Sequence, residues 1–417
     1  MVSNPSWIPL GLAAWMPSFA QLIQIYFTLI TTLAVLAATL PPLRDSILSY
    51  GKLDHLTPSP SSSKADDSAA ASASPSRLQQ ERTKAAPTRH GAFFELLRSL
   101  KVPKVWFAHF YVFATLWMLY LSLDLILYTS SSSPLSSVLP TVLISTHPYW
   151  SFLTFLNHLS IMPTHPSLSI ALHNDWTPPP HVILLMACYL CQTIRRWYES
   201  WYVERPSPTA RLHVGHYIIG ISFYAAMAPA LWVDWYEARV FAGSSASPQQ
   251  NHKSVAAMVA AVGTKGWIGL LLYLWASWHQ HRCHVILANL RKHPSKELRN
   301  DEDGHSHRPA QSEYKVPFGD WFEYLVTPHY SAEMVIYLGF YLMASSSSLP
   351  AASPSSSLTP TTMLLALFWV VVNLGIVARE SDQWYRSRFG EHYAGAITTS
   401  TGQTVWKRRS VLIPFVY

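Results

Sequence analysis

Residues 315–343 read KVPFGDWFEYLVTPHYSAEMVIYLGFYLM, and this stretch decides the fold. A polar, aromatic approach carrying Asp320, Glu323 and His329 runs directly into an apolar helix that holds Glu333 near its start. Charge beside hydrocarbon is costly unless it binds something, so ionisable groups at the mouth of an apolar span mark a functional edge. A water-soluble globule has little use for this pattern. The stretch therefore predicts a membrane-embedded chain whose chemistry lies where polar sequence meets apolar helix.

The rest of the chain agrees. Only 13% of the residues are charged, against 49% hydrophobic and 13% aromatic, too apolar for two ordinary soluble domains. Uncharged stretches of about the 20 residues that a bilayer core demands recur near 17–40, 105–128, 181–194, 213–233, 256–278, 331–349 and 361–378. The expectation is an all-α integral membrane protein with about seven transmembrane helices, the third short. Pro9 and Pro17 precede the first span, which lacks a basic start and is long for a signal peptide, so it reads as an uncleaved anchor. Residues 1–55 hold this helix and its flank. Residues 56–92, rich in Ser, Ala, Pro and mixed charge, cannot bury enough apolar surface to order themselves and read as a disordered cytosolic insertion. Residues 93–417 supply the other six helices.

Lys and Arg accumulate on the cytosolic side of short loops, which sets the orientation. Residues 129–180 and 344–361 contain neither. Of the 30 basic residues, Arg239 and Lys253 fall in a predicted outer loop and Lys265 in a span, leaving 27 on one side. That side holds the carboxyl terminus, with the amino terminus luminal. The net charge of +7 thus reads as an orientation signal and an attraction to anionic headgroups, and nothing in the basic pattern argues for nucleic acid. The three cysteines, two of them in Cys188-x-x-Cys191 within a predicted helix, are too few for a disulfide framework or a four-cysteine zinc site.

Four polar clusters converge on the cytosolic face. VPKVWFAHFY (102–111) opens the second span and carries His109 and Tyr111. RRWYESWY (195–202) follows the third, with His213 and His216 beyond it; its arginines could be a plain stop signal, but Glu199 beside them reads as a paired, functional acid. WHQHRCHVILANLRK (278–292) spaces His279, His281 and His284 without the paired histidines of membrane iron oxygenases, so hydrogen bonding is preferred to metal. Residues 314–333 join RESDQWYRSRFGEHY (379–393) and KRRSVLIPF (407–415) in the fourth. Such a surface suits a large polar cofactor held without a Rossmann domain, since neither G-x-G-x-x-G after a strand nor a P-loop occurs.

VPKVWFAHFYVFA, RRWYESWYV followed by HVGHY, HQHRCHVILANLRK, YKVPFGDWFEYLVTPHYSAEMVIY and the terminal VLIPF together resemble the steroid 5α-reductase family, in its polyprenol reductase branch. The resemblance covers roughly residues 100–125, 185–220 and 275–417. It implies a seven-helix endoplasmic-reticulum enzyme that takes NADPH from the cytosol, with a cofactor-binding half at about 255–417, a long-chain polyisoprenoid substrate, and a monomer in the lipid bilayer. Arg291 matches an arginine for the cofactor's phosphates, His329 and Glu333 stand where the family holds the nicotinamide, and Tyr385 matches a cofactor-contacting tyrosine. Arg196, His284, Asn289, Tyr314 and Arg379 complete the expected NADPH contacts. His284 replaces an aspartate and His329 an asparagine of steroid-acting members. The stretch 398–405 before the basic terminus and the Ser-rich loop are insertions expected to lie away from the site.

Hydride adds to an alkene when a carbonyl drains the developing charge, and the enzyme then needs a donor at that oxygen. An allylic alcohol offers no such sink, so the α,β-unsaturated aldehyde is the favoured acceptor. His109, Tyr111, Tyr198 and Glu199 are the candidates for holding the oxygen and delivering a proton. The rival readings are an isoprenylcysteine methyltransferase, which shares a late Arg-Glu…Ile-Pro pattern, a steroid or sterol 5α-reductase, and a non-enzymatic scaffold that leaves the buried-edge acids unexplained.

Overall fold

The computed structural model of the chain describes residues 17–44, 99–129, 151–158, 178–204, 210–242, 254–292, 315–346, 360–390, 395–398, 404–407 and 409–412, with positions 96 and 146. The segment 56–92 and Tyr314 lie outside the described residues.

Among the described residues, each of the seven apolar stretches is mostly helix. α1 (Phe19–Thr39) starts on a capping box in which Ser18 and Gln21 satisfy each other's backbone amides, and stops before Pro41. β1 (Lys101–Pro103) leads through a 3₁₀ turn into α2 (Ala108–Thr129), and α3 (Phe152–His158) is a short helix whose Leu153 amide donates to buried Asp124 of α2. α4 (Pro180–Tyr198) runs into a π-turn at Glu199–Val203. β2 (Arg211–His213) pairs antiparallel with β1 and leads into α5 (Val214–Ala230), then α6 (Val233–Ala242). α7 (Val255–Ala261) and α8 (Gly263–Lys292) meet at an 83° bend. Gly263 sits there at φ +72°, a conformation that glycine alone adopts cheaply. α9 (Pro328–Ala344) and α10 (Thr361–Phe389) follow, and β3 (Gly395–Thr398) and β4 (Thr404–Lys407) form a terminal hairpin. The two small antiparallel sheets leave no room for a Rossmann fold among the described residues.

Among the described residues, four helical stretches are long and apolar enough to cross a membrane: Phe19–Thr39, Lys104–Leu127, Val214–Ala238 and Thr361–Phe389. The bent pair α7–α8 makes five if it counts as one span. The described residues thus support four or five spans on length and apolarity and do not confirm the count of seven. The shortfall has a cause, because α4 ends in Arg195 and Arg196, while α9 is only 17 residues long and carries Glu333. Helices that bear the polar groups give up apolar length to do so. α8 also continues helically through residues 279–292, beyond the apolar stretch that ends near 278.

The main apolar core contains Phe27, Met118, Leu185, Met227, Tyr236, Ile336, Phe340 and Ala366, with smaller clusters at Val102, Phe110 and Leu212 and at Ala378, Val411 and Leu412. On the outside, Ile25, Leu29, Leu116, Leu271, Leu274 and Phe368 are exposed, an apolar surface that suits lipid rather than water. At one end of the bundle α6 ties two helix starts together: Asp234 accepts from the Thr362 amide (2.9 Å) and Glu237 from the Ala20 amide (2.8 Å). At the other end the β1–β2 pair sets the starts of α2 and α5 side by side. There the chain's last described residues strap the approach to α9. Val326 and Ser410 are bridged through the backbone, Thr327 and Ser331 donate to the carbonyls of Val411 and Leu412, and Arg409 donates to that of Pro317.

Candidate active site

Glu199 is the hub. The π-turn at the end of α4 turns its side chain inward, where it is 0% exposed. One carboxylate oxygen accepts from Arg195 (2.5 Å) and faces His281 Nδ1 (2.8 Å); the other accepts from Arg196 and faces His284 Nδ1 (2.8 Å). Burial opposes the charge on Glu199, but the His284 hydrogen bond and the two guanidinium charges outweigh it, holding the carboxyl well below the usual range. His284 Nδ1 also lies 2.7 Å from Arg196 Nη1. It cannot donate to the carboxylate and accept from the guanidinium at once, and the anion beside it favours the N–H on Nδ1.

Arg196 connects this hub to α2. Its Nε and Nη2 donate to the Tyr111 hydroxyl (3.3 and 3.1 Å), its guanidinium stacks over the Tyr111 ring (4.8 Å), and Nη2 also donates to Glu204 (2.9 Å). Burial works against the Glu204 charge too, and Arg196 again prevails, so that carboxyl is lowered. The Tyr111 oxygen thus accepts twice, while its own proton goes to no described residue.

A second arm reaches α9. Arg195 donates to Gln192 (2.8 Å) and to Gln280, and the side-chain amides of both glutamines donate to Oε2 of Glu333. Oε1 of Glu333 accepts from no described residue and the side chain is only half-buried. Glu333, Gln280, Arg195, Glu199, Arg196 and Tyr111 therefore form one connected network across α9, α8, α4 and α2.

Of the residues singled out from sequence, Tyr111, Arg196, Glu199, His284 and Glu333 come together here. His329 stands beside them, its ring 5.8 Å from that of His284 and 4.2 Å from that of Tyr330. His109 does not join: it is exposed, and its Nδ1 meets the Tyr217 hydroxyl (3.2 Å). Tyr198 is also outside, 55% exposed and stacked on Tyr202. Asn289 on α8 and Arg379 on α10 are exposed, and Tyr385 stacks on Phe389. Arg291 is in the last turn of α8, with its side chain outside the described residues. The three spaced histidines divide, His279 going to Asp320 (2.8 Å) and the other two to Glu199. Gln192, Gln280 and Glu204 were not anticipated. Gln280 lies inside HQHRCH, four residues before His284, and Gln192 three before Arg195; uncharged amides carry little signal where ionisable groups attract the search.

Residues 249–417 match the family model of 3-oxo-5-alpha-steroid 4-dehydrogenase. Among curated proteins, polyprenal reductase 2 of Arabidopsis thaliana is 28% identical over 339 residues, spanning 76% of this chain and 82% of that protein. Polyprenal reductase 1 of the same plant is 33% identical over 223 residues, 51% of this chain and 60% of that protein. Polyprenal reductase of Rattus norvegicus is 26% identical over 346 residues, 82% and 85% respectively.

Proposed function

We propose that the chain is a member of the steroid 5α-reductase family and that this multi-pass membrane oxidoreductase uses NADPH to reduce the α-isoprene double bond of a long-chain polyisoprenoid, in dolichol biosynthesis, with the aldehyde as acceptor. One observation carries the reading. The Tyr111 hydroxyl is fixed by two N–H bonds from a buried guanidinium, and its proton is left to give. A donor so held is suited to a carbonyl oxygen that gathers negative charge, and removing such a donor typically costs about 3 kcal/mol of barrier.

The residues present suit the cofactor. Glu333 offers an oxygen that accepts from no described residue, able to take an N–H from a carboxamide, while Gln192 and Gln280 fix the other oxygen. Exposed Arg379 and Asn289, with Arg291 in the last turn of α8, are the groups for phosphate and ribose. NADPH when bound supplies the hydride. Tyr111 holds the substrate oxygen, Arg196 stabilises charge that reaches the phenol, and Glu199 keeps both arginines in position. The same reading includes the endoplasmic reticulum membrane, an amino terminus in the lumen and a monomeric enzyme, the orientation being supported by the 27 basic residues on one side.

Purified protein with NADPH should reduce polyprenal to its dihydro form far faster than polyprenol, because the oxyanion donor has nothing to act on in the alcohol. Equal rates with no dehydrogenase present would overturn the aldehyde mechanism. Tight binding of S-adenosylmethionine in place of NADPH would overturn the reductase.

A further inference from the structure

Three tyrosines are not accounted for by the network. Tyr189 on α4, Tyr224 on α5 and Tyr337 on α9 sit on the core side of Glu333, and each lies within electrostatic reach of both Glu333 and Tyr111. Their rings form a continuous wall. Tyr224 packs edge-on against Tyr111 (5.6 Å) and Phe223 (5.2 Å), Phe223 meets Tyr337 (6.1 Å), and Phe340 joins Tyr337 (5.5 Å) to Tyr189 (5.9 Å). The Tyr189 hydroxyl is shut off from solvent and bonds to no described residue, and neither Tyr224 nor Tyr337 has a hydroxyl bond to one.

A buried hydroxyl with no partner is rare and calls for an explanation. Phenylalanine would fill the same space without stranding a polar atom in the middle of a bundle. Tyr189 is such a phenol, and with Tyr224 and Tyr337, whose hydroxyls also bond to no described residue, it stands around a fourth, Tyr111, whose proton is unspent. The Tyr111 oxygen already accepts twice, so that phenol can only donate, and its complement is an oxygen lone pair such as a carbonyl offers.

We propose that Tyr189, Tyr224 and Tyr337 join Tyr111 in a phenol-lined subsite that binds the oxygen-bearing end of the isoprenoid substrate and selects a carbonyl over a hydroxyl there. The proposal rests on the reductase reading and extends it from one donor to a set. The carbonyl oxygen accepts from Tyr111 and a second phenol, and the remaining hydroxyls set how deep the terminus sits, so the double bond meets the cofactor face near Glu333.

The test is a set of single changes, Tyr189→Phe, Tyr224→Phe and Tyr337→Phe, in the full chain reconstituted in lipid, with wild type beside them. Four quantities are read: the unfolding midpoint, NADPH affinity, kcat/KM for a short isoprenoid enal, and enal affinity by quenching of intrinsic fluorescence, which needs no turnover. The expected result is an unfolding midpoint unchanged or raised, unchanged NADPH affinity, and enal affinity and kcat/KM lowered roughly tenfold per hydroxyl, the size of one hydrogen bond. Unchanged enal affinity in all three would mean idle core phenols and overturn the subsite. A lowered unfolding midpoint in all three would mean that the hydroxyls hold the fold, and would overturn it equally. If wild type binds the enal through these hydroxyls yet does not reduce it with NADPH, the subsite stands and the reductase reading falls.

Discussion

A carboxylate with no solvent exposure survives only if its surroundings repay its lost hydration, and Glu199 is repaid by Arg195, Arg196, His281 and His284 together. Glu199→Gln keeps the shape but strands two cations, so it should cost roughly 3 to 5 kcal/mol of stability, read as a fall in unfolding midpoint. The pH dependence follows from the same depressed carboxyl. A group whose folded pKa lies below its unfolded value of about 4.3 contributes stability above that pH and loses it as pH falls toward the folded value. Glu199 and Glu204 should therefore add no slope of their own between about pH 5 and 8 and should pull the unfolding midpoint down below about pH 4.3, less steeply in Glu199→Gln. An inflection near neutrality that disappears in Glu199→Gln would contradict a depressed pKa. Tyr111→Phe should lower kcat by roughly 100- to 1000-fold with NADPH affinity little changed, measured by single turnover and cofactor titration. At this scale the sequence was legible where charge stood next to charge, as at Arg196 and Glu199. It was not legible where a pair forms only after folding: nothing in HFY says that Tyr111 meets a guanidinium 85 positions on while His109, two residues away, points to Tyr217.

The elements position these groups, and α8 and α9 meet backbone to backbone at two glycines. A Cβ added to Gly269 would lie 2.5 Å from the Gly339 carbonyl oxygen, and one added to Gly339 would lie 2.7 Å from that of Gly269. Backbone faces backbone, so no side chain can swing aside. These helices carry Gln280 and Glu333, which touch through their side chains. Gly269→Ala or Gly339→Ala should force the pair apart, costing about 1 to 3 kcal/mol and, because small displacements between hydride donor and acceptor are expensive, lowering kcat far more than the stability loss explains. Normal turnover in a folded variant would show that the α8–α9 spacing does not set the site. The helices themselves were legible from apolar length. The bend at Gly263 and the continuation of α8 to Lys292 were not, because polar residues read as loop until tertiary partners, here Glu199 and Asp320, hold them in a helix.

Across the whole molecule the two ends of the bundle are built differently, and the difference bears on orientation. At one end acids of α6 accept from the starts of α1 and α10. At the other, Arg195, Arg196, Arg282, Arg379, Arg386 and Arg409 gather with the polar network and the strap from the chain's last residues. Basic residues resist transfer across the membrane, so the end with the network should face the cytosol, where a soluble dinucleotide is available. The seven apolar stretches of the sequence lead to this orientation through their odd number. The start of α9 and the finish of α10 lie together beside the strap, so both belong to the end of the bundle that carries the network. A glycosylation acceptor appended after Tyr417 should therefore stay unmodified in microsomes, and a thiol introduced at exposed Arg379 should react with a membrane-impermeant reagent added from the cytosolic side. An acceptor that becomes glycosylated would invert the molecule, and the site would then have to draw its reductant from the lumen.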